Sequence, residues 1–345
     1  MSDTSQEKLM LNAGTPLESV ASAVDGLKEI TIDCGVMDMA GKKLNAMMKI
    51  ARGAGVEHFI LVNVCGQDLI GTGIAGPARI SVYGLMGNHS CAFVDGLTIN
   101  TFPTRFSNSV WCPGDAQVAI GTSANPVEMN IGGSVDDLFA SYAPSGNFRV
   151  AGQGGNRCVL RAGAGIPQIW REIDYNAIRD MGDNERVEAM LFKYQKRHAE
   201  IELRGWDSFI EGFSKELERR SPPVVVFGRK VKDYFMEYAQ GTIGIILNVY
   251  NLPSPIGYYV CSGMTAGKAY IRGEVKESQL GNRVKVADMN EEDIKLISRE
   301  TRAFYASFKG VIDSRKYNEK LEMLIKACDE DEERYASGFV KIVPV

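Results

Sequence analysis

Apolar and polar positions alternate in short runs along most of the chain, and one helical period interrupts them early. Ile30 and Ile32 alternate with polar neighbours, as in a half-buried strand. Leu44, Met47, Met48 and Ala51 then recur at helical spacing, and Gly53 to Gly55 closes that helix. The apolar, β-branched run from His58 to Val64 predicts a buried strand. Residues 1–65 therefore read as a strand-helix-strand lead-in.

From Gly66 the texture changes to brief strands, most of them closed by glycine. They are Ile80-Ser81-Val82-Tyr83-Gly84, Val127 to Gly132, Phe148 to Gly152, Val224 to Gly228 and Tyr270 to Gly273. Leu97 to Ile99 and Ile243 to Ile245 fit the alternation without the closing glycine. Residues 167–221 break the pattern. They are charged and glycine-poor, with Val187, Met190, Leu191, Tyr194 and His198 on one helical face, and Pro222-Pro223 ends them. After Gly273 the chain turns helical and acidic, with Asn290 to Asp293 opening one helix. It then runs to Phe339-Val340-Lys341-Ile342-Val343-Pro344.

Composition sharpens this picture through one residue type. Glycine numbers 36 of 345, about a tenth against the usual ~7%. The intervals from 66 to 84, 96 to 114 and 114 to 132 are each 18, and 133 to 152 is 19. A near-constant period of about 20 with a strand or two in each repeat is the mark of a solenoid. The expected fold is therefore mainly β: a right-handed parallel β-helix, a single-stranded solenoid. Its rungs would occupy 66–166 and 222–275, separated by a helical insertion at 167–221 and followed by a helical tail at 276–345. In such a coil glycine serves at sharp turns and where stacked turns crowd. The expected rung-turn glycines are Gly66, Gly71, Gly84, Gly87, Gly96, Gly114, Gly121, Gly132, Gly152, Gly228, Gly263, Gly267 and Gly273.

Charge and cysteine use narrow the class. The net charge is −4 with no basic stripe, which argues against nucleic acid as partner. The N-terminal residues lack the basic start and apolar run of a signal peptide, and no apolar run approaches the ~20 residues of a membrane span. The seven cysteines, Cys34, Cys65, Cys91, Cys112, Cys158, Cys261 and Cys328, are dispersed and never spaced C-x-x-C. They read as buried free thiols, and the chain as cytoplasmic.

Candidate chemistry is sparse. Gly71-Thr72-Gly73-Ile74-Ala75-Gly76 matches a dinucleotide fingerprint in letters, but Pro77 and a strand follow where that site needs a helix. Three dispersed histidines, His58, His89 and His198, make no metal-binding spacing, and His58 reads as a structural histidine heading a strand. His89 and Cys91 share a face as a conceivable base and nucleophile of a stand-alone hydrolase, with nothing in sequence to orient the imidazole. Asp136 and Asp137 are adjacent and point to opposite faces. No catalytic or cofactor-binding residue is assigned.

The ordered set of segments carries a resemblance. Asn63-Val64-Cys65-Gly66-Gln67, Ile80 to Gly84 with Gly87-Asn88, and Gly114-Asp115-Ala116-Gln117 with Gly121 are similar to successive rungs of the glycine-repeat C-terminal domain of glutamate synthase large subunits. Val225 to Gly228, Glu237-Tyr238 and Ser262 to Gly273 resemble its later rungs, and Phe339 to Pro344 resembles the ending of stand-alone archaeal-type versions. The resemblance implies a right-handed β-helix that does no chemistry itself. It would brace a class II glutaminase chain and an FMN-binding, iron–sulfur synthase chain, so that FMN and the clusters belong to partners. The β-helix component of formylmethanofuran dehydrogenase complexes shares the repeat and is the competing relative. Ala140, Pro144 and Ser145 stand where the pattern has mostly glycine and methionine, Met236 and Gln240 replace expected glycines, Asp68-Leu69 replaces its Arg-Tyr, and residues 167–221 have no counterpart. These departures point to a diverged paralogue with an altered partner.

Overall fold

The computed structural model describes residues 9–36, 38–87, 90–91, 94–102, 111–112, 127–141, 143, 145–163, 222–312 and 314–345. The expected insertion at 167–221, together with Gly114, Gly121, Pro144, His89 and His198, lies outside the described residues.

The lead-in forms as its periodicity predicts. Strand β1 (Met10–Asn12) and helix α1 (Leu17–Ala23) precede β2 (Glu29–Val36), α2 (Gly41–Gly53) and β3 (His58–Gln67). Helix α2 buries Leu44, Met47, Met48 and Ala51, the four positions of its apolar stripe. The glycine-closed runs then become β4 (Ala75–Met86), β5 (Asp95–Phe102), β6 (Trp111–Cys112), β7 (Glu128–Ile131), β8 (Ser134–Val135) and β9 (Asn147–Val150). Later in the chain come β10 (Val224–Phe227), β11 (Gln240–Ile246) and β12 (Ala266–Arg272). The C-terminal part holds β13 (Val284–Ala287), α3 (Glu291–Phe308), α4 (Arg315–Glu330), α5 (Glu332–Ala336) and β14 (Phe339–Pro344).

Twelve of these strands form one open mixed sheet, in the order β1-β2-β3-β4-β5-β7-β9-β10-β11-β12-β14-β13. Every pair from β1 to β12 is parallel, whereas β14 pairs antiparallel with both β12 and β13. This corrects the expected fold: the chain forms an open, α/β-like sheet, not a right-handed parallel β-helix. The glycine period is real but reports something narrower. It measures the chain needed to add one parallel neighbour: Ile80 pairs with Ile99, Met129 with Phe148 and Val225 with Gly244, each 19 residues on. A constant step between neighbours says nothing about closure. The tail is likewise not helical throughout, because its last residues return as β14.

The sheet buries both faces over part of its width. On one face Phe59, Ile80, Ile99, Met129, Phe148, Val225, Phe227 and Ile271 pack against α1, α2 and a wall of stacked turns. Phe139 and Phe235 of that wall interleave with Phe148 and Phe227, edge to face at 5.9–6.1 Å between ring centroids. Such pairs add about 0.5–1.5 kcal/mol each beyond their buried area. On the other face Val224, Val226, Ile245 and Tyr270 pack against Ile297, Phe304 and Phe308 of α3 and Tyr317 of α4. Tyr317 donates its hydroxyl to the Ala151 carbonyl at 3.0 Å, fixing α4 to the sheet.

The thiols are unequal, which revises the expectation that all are buried. Cys65 is exposed, while Cys34, Cys91, Cys158, Cys261 and Cys328 are buried. Burial pushes the thiols of Cys34 and Cys158 up to about 12, helped at Cys34 by the Asp33 charge. Brief alkylation of the native protein at pH 8, mapped by mass spectrometry, should therefore modify Cys65 and leave these buried thiols untouched.

Candidate functional site

Successive layers of the turn wall repeat one backbone device. Segments 137–141, 156–162, 233–239 and 258–263 lie one above another, and in each the φ angle alternates in sign. The left-handed positions are Leu138 and Ala140, then Arg157, Val159 and Arg161, then Tyr234, Met236 and Tyr238, then Tyr259, Cys261 and Gly263, at φ between 49° and 67°. Alternation turns consecutive N–H groups to opposite sides, so each layer bonds to the layers above and below it. Val159 donates back to the Phe139 carbonyl at 2.7 Å, while Arg157 and Arg161 donate forward to Asp233 and Glu237 at 2.9 Å. Met236 donates back to Cys158, and Tyr234 and Tyr238 donate forward to Tyr258 and Ser262.

The central left-handed side chains, Val159, Met236 and Cys261, are buried in the core. The flanking ones project outward and form two columns. Arg157 lies over the Tyr234 ring at 5.3 Å, and Tyr234 stacks on Tyr259 with centroids 5.0 Å apart. Arg161 lies over the Tyr238 ring at 5.5 Å. Each non-glycine residue in this region costs about 1–2 kcal/mol of local strain, offset by layer hydrogen bonds and by roughly 0.5–1 kcal/mol per exposed cation–π contact. The acids of the ridge are engaged. Glu237 pairs with Arg157 at 3.3 Å, and Asp233 accepts the Tyr258 N–H at 2.9 Å.

The expected glycines fall into two geometric groups. Gly66, Gly71, Gly84, Gly96, Gly263, Gly267 and Gly273 have positive φ. Gly87, Gly152 and Gly228 do not, and there a Cβ would fall on the carbonyl oxygen of Gly66, Gly133 or Ala151 in the preceding repeat. Gly132 donates its N–H to the Thr101 carbonyl at 3.0 Å.

One polar string crosses the opposite face. His58 bonds through Nδ1 to Glu29 at 2.7 Å and through Nε2 to Ser81 at 3.0 Å, on three adjacent strands. His58 also lines a shallow cleft with Lys28, Glu57, Arg79 and Thr98. Both ring nitrogens are thus engaged, in keeping with a structural histidine. Sequence reasoning missed the partners because register alone brings residues 29, 58 and 81 together. Of the His89 and Cys91 pair, Cys91 is buried. A strand and not a helix follows Gly71 to Ile74, as Pro77 and its successors predict. Among the described residues no group of three metal-ligating side chains converges, and no helix is long and apolar enough to cross a membrane.

No family model matches the chain. A 90-residue stretch, 25% of the chain, is 33% identical to the uncharacterized protein MJ1350 of Methanocaldococcus jannaschii. The match spans 34% of that protein, about a third of its length.

Proposed function

We propose that the chain is a non-catalytic scaffold subunit of a glutamate-synthase-like, glutamine-dependent amidotransfer and oxidoreductase complex in the cytoplasm. It would brace a class II glutaminase chain and an FMN-binding, iron–sulfur synthase chain. The observation that carries this reading is the stack of turn layers, each hydrogen-bonded to the next and locked by interleaved phenylalanines to a continuous sheet. That construction suits a brace, which must hold its shape under load from two neighbours. The segments resembling the glutamate synthase repeat, around Ile80, Val225 and Tyr270, supply strands of that sheet in chain order.

Co-expression with a glutaminase chain and an FMN synthase chain, followed by size exclusion, tests the proposal. The expected result is co-elution of all three in one peak. Elution of this chain alone, at every protein concentration tried, overturns it.

A further inference from the structure

We propose that Ser81, His58 and Glu29 form a hydrolytic centre for short-chain carboxylic esters, with Asn100 as its oxyanion donor. This chemistry is independent of the scaffold reading and additional to it, so the bracing of partners neither requires nor excludes it. Ser81 Oγ lies 3.0 Å from His58 Nε2, and His58 Nδ1 lies 2.7 Å from a Glu29 carboxylate oxygen. Those are the two contacts that join a nucleophile to a base and the base to an orienting acid. Chemistry also fixes the tautomer. An ionised carboxylate only accepts, so Nδ1 carries the ring proton, and in the neutral ring Nε2 is left to accept from the Ser81 hydroxyl. That is the form of imidazole that takes a proton from serine.

A row of side chains on the same sheet face supplies the fourth group. Ser81, Asn100, Asn130 and Arg149 stand opposite one another on β4, β5, β7 and β9. Arg149 Nη1 donates to the Asn130 amide oxygen at 3.4 Å, and a guanidinium can only donate. The Asn130 NH2 therefore points to Asn100, whose amide oxygen it meets at 3.0 Å. Asn100 is left with its NH2 as the group available to Ser81, one strand spacing of ~4.8 Å away. No described residue accepts from that NH2. A row built only to hold strands together would close on itself. This one ends in amide hydrogens beside a serine already bonded to a base.

Access sets the substrate. Ser81 is only 7% exposed, which admits a small acyl group. The shallow cleft reaches His58, Arg79 and Thr98, neighbours of Ser81 on β3, β4 and β5, and gives a leaving group somewhere to lie. Ser81 Oγ bonds to the carbonyl carbon as His58 Nε2 takes its proton, and the carbonyl electron pair moves onto the oxygen facing Asn100. Collapse breaks the bond to the alkoxy oxygen, which takes the proton from Nε2 and leaves as the alcohol. Water then repeats the sequence on the acyl-serine, releasing the carboxylic acid and restoring Ser81.

The full chain is tested with p-nitrophenyl acetate as substrate and a fluorophosphonate as label for an activated serine. Wild type should hydrolyse the ester and carry the label on Ser81, mapped by mass spectrometry. Ser81→Ala should lose the label and at least ~100-fold in kcat/KM. Asn100→Ala should lose about 100-fold in kcat with KM little changed. Glu29 acts through His58 as a positioning residue, so Glu29→Gln should lower kcat at unchanged KM, with partial recovery in Glu29→Asp. Absence of label on Ser81 in wild type overturns the proposal, however the variants fold. Hydrolysis by Ser81→Ala at the wild-type rate, in protein of near wild-type Tm, overturns it equally.

Discussion

Replacing Gly84 by alanine is expected to destabilise the protein by at least ~4 kcal/mol, enough to unfold much of it given a typical total of ~5–15 kcal/mol. Gly84 sits in β4 opposite Val64 of β3. A Cβ there would fall on the Val64 carbonyl oxygen, 2.8 Å from its carbon and 3.0 Å from the Val64 nitrogen. Those atoms are backbone, beside a break in the β3–β4 register between Leu61 and Val64, so only a shift of the strand itself would make room. The φ of 136° adds a conformational penalty of its own. Gly66→Ala is the informative control: its φ is 79°, but no atom lies within 4 Å of the added carbon. It should cost only the ~1–2 kcal/mol of a left-handed L-residue. Urea denaturation of the two variants measures the difference, and equal losses would mean that crowding between neighbouring strands is not what Gly84 prevents.

Asp293→Ala is expected to cost about 3–5 kcal/mol and to loosen the C-terminal helices from the sheet. Its carboxylate is fully buried and accepts from Lys268 at 2.8 Å, Lys341 at 2.6 Å, Tyr270 at 2.5 Å and the Asn290 N–H at 3.0 Å. Burial pushes this carboxyl up, but the bonds from the two lysines, the tyrosine and the backbone outweigh it and hold the group far below the usual carboxylate range. Burial and the same carboxylate push the Tyr270 phenol up. Removing the carboxylate strands Lys341, itself largely buried, beside Tyr270. The pH dependence follows from the sign of the shift. A depressed folded-state pKa contributes stability in full above the unfolded value of ~3.9, and that contribution is lost as pH falls through the folded value. The gap in Tm between wild type and Asp293→Asn should therefore stay constant from pH 8 to about pH 5. It should narrow below about pH 4. A gap that grew on acidification would show that the carboxylate is not the anchor.

Much of the strand content was legible because its cause is local. Alternation in Ile80 to Tyr83 or Phe148 to Val150 reports a buried face directly, and the stripe of Leu44, Met47, Met48 and Ala51 does the same for α2. The interval between glycines reported the step between parallel neighbours. Whether those neighbours close into a coil depends on the direction the chain takes between strands, which no spacing records. The antiparallel return of β14 was hidden for the same reason, since Ile342 meets Ala269 across 73 residues. The ridge was hidden more deeply. Gly71-Thr72-Gly73 displays the alternating left-handed device openly, with φ of 72° and 70°. Tyr234, Met236 and Tyr238 adopt it against their own preference, because hydrogen bonds from the adjoining layers impose it. A residue that defies its propensity leaves no trace in its own letter. The His58 string was half legible: the histidine was marked as structural, but its partners lie 29 and 23 residues away.

Adjacent strands that are neighbours in chain order also decide where this protein tolerates change. Val224 pairs with Asn147 as any two successive strands do, although residues 164–221 intervene. The join is indifferent to what is spliced into it, because doubling the length of a connecting segment adds only about 0.6 kcal/mol of closure entropy. The junction between β9 and β10 is thus a socket. Lineages carrying this chain could exchange whole inserted modules there, acquiring new attachments, without renegotiating a single hydrogen bond of the sheet.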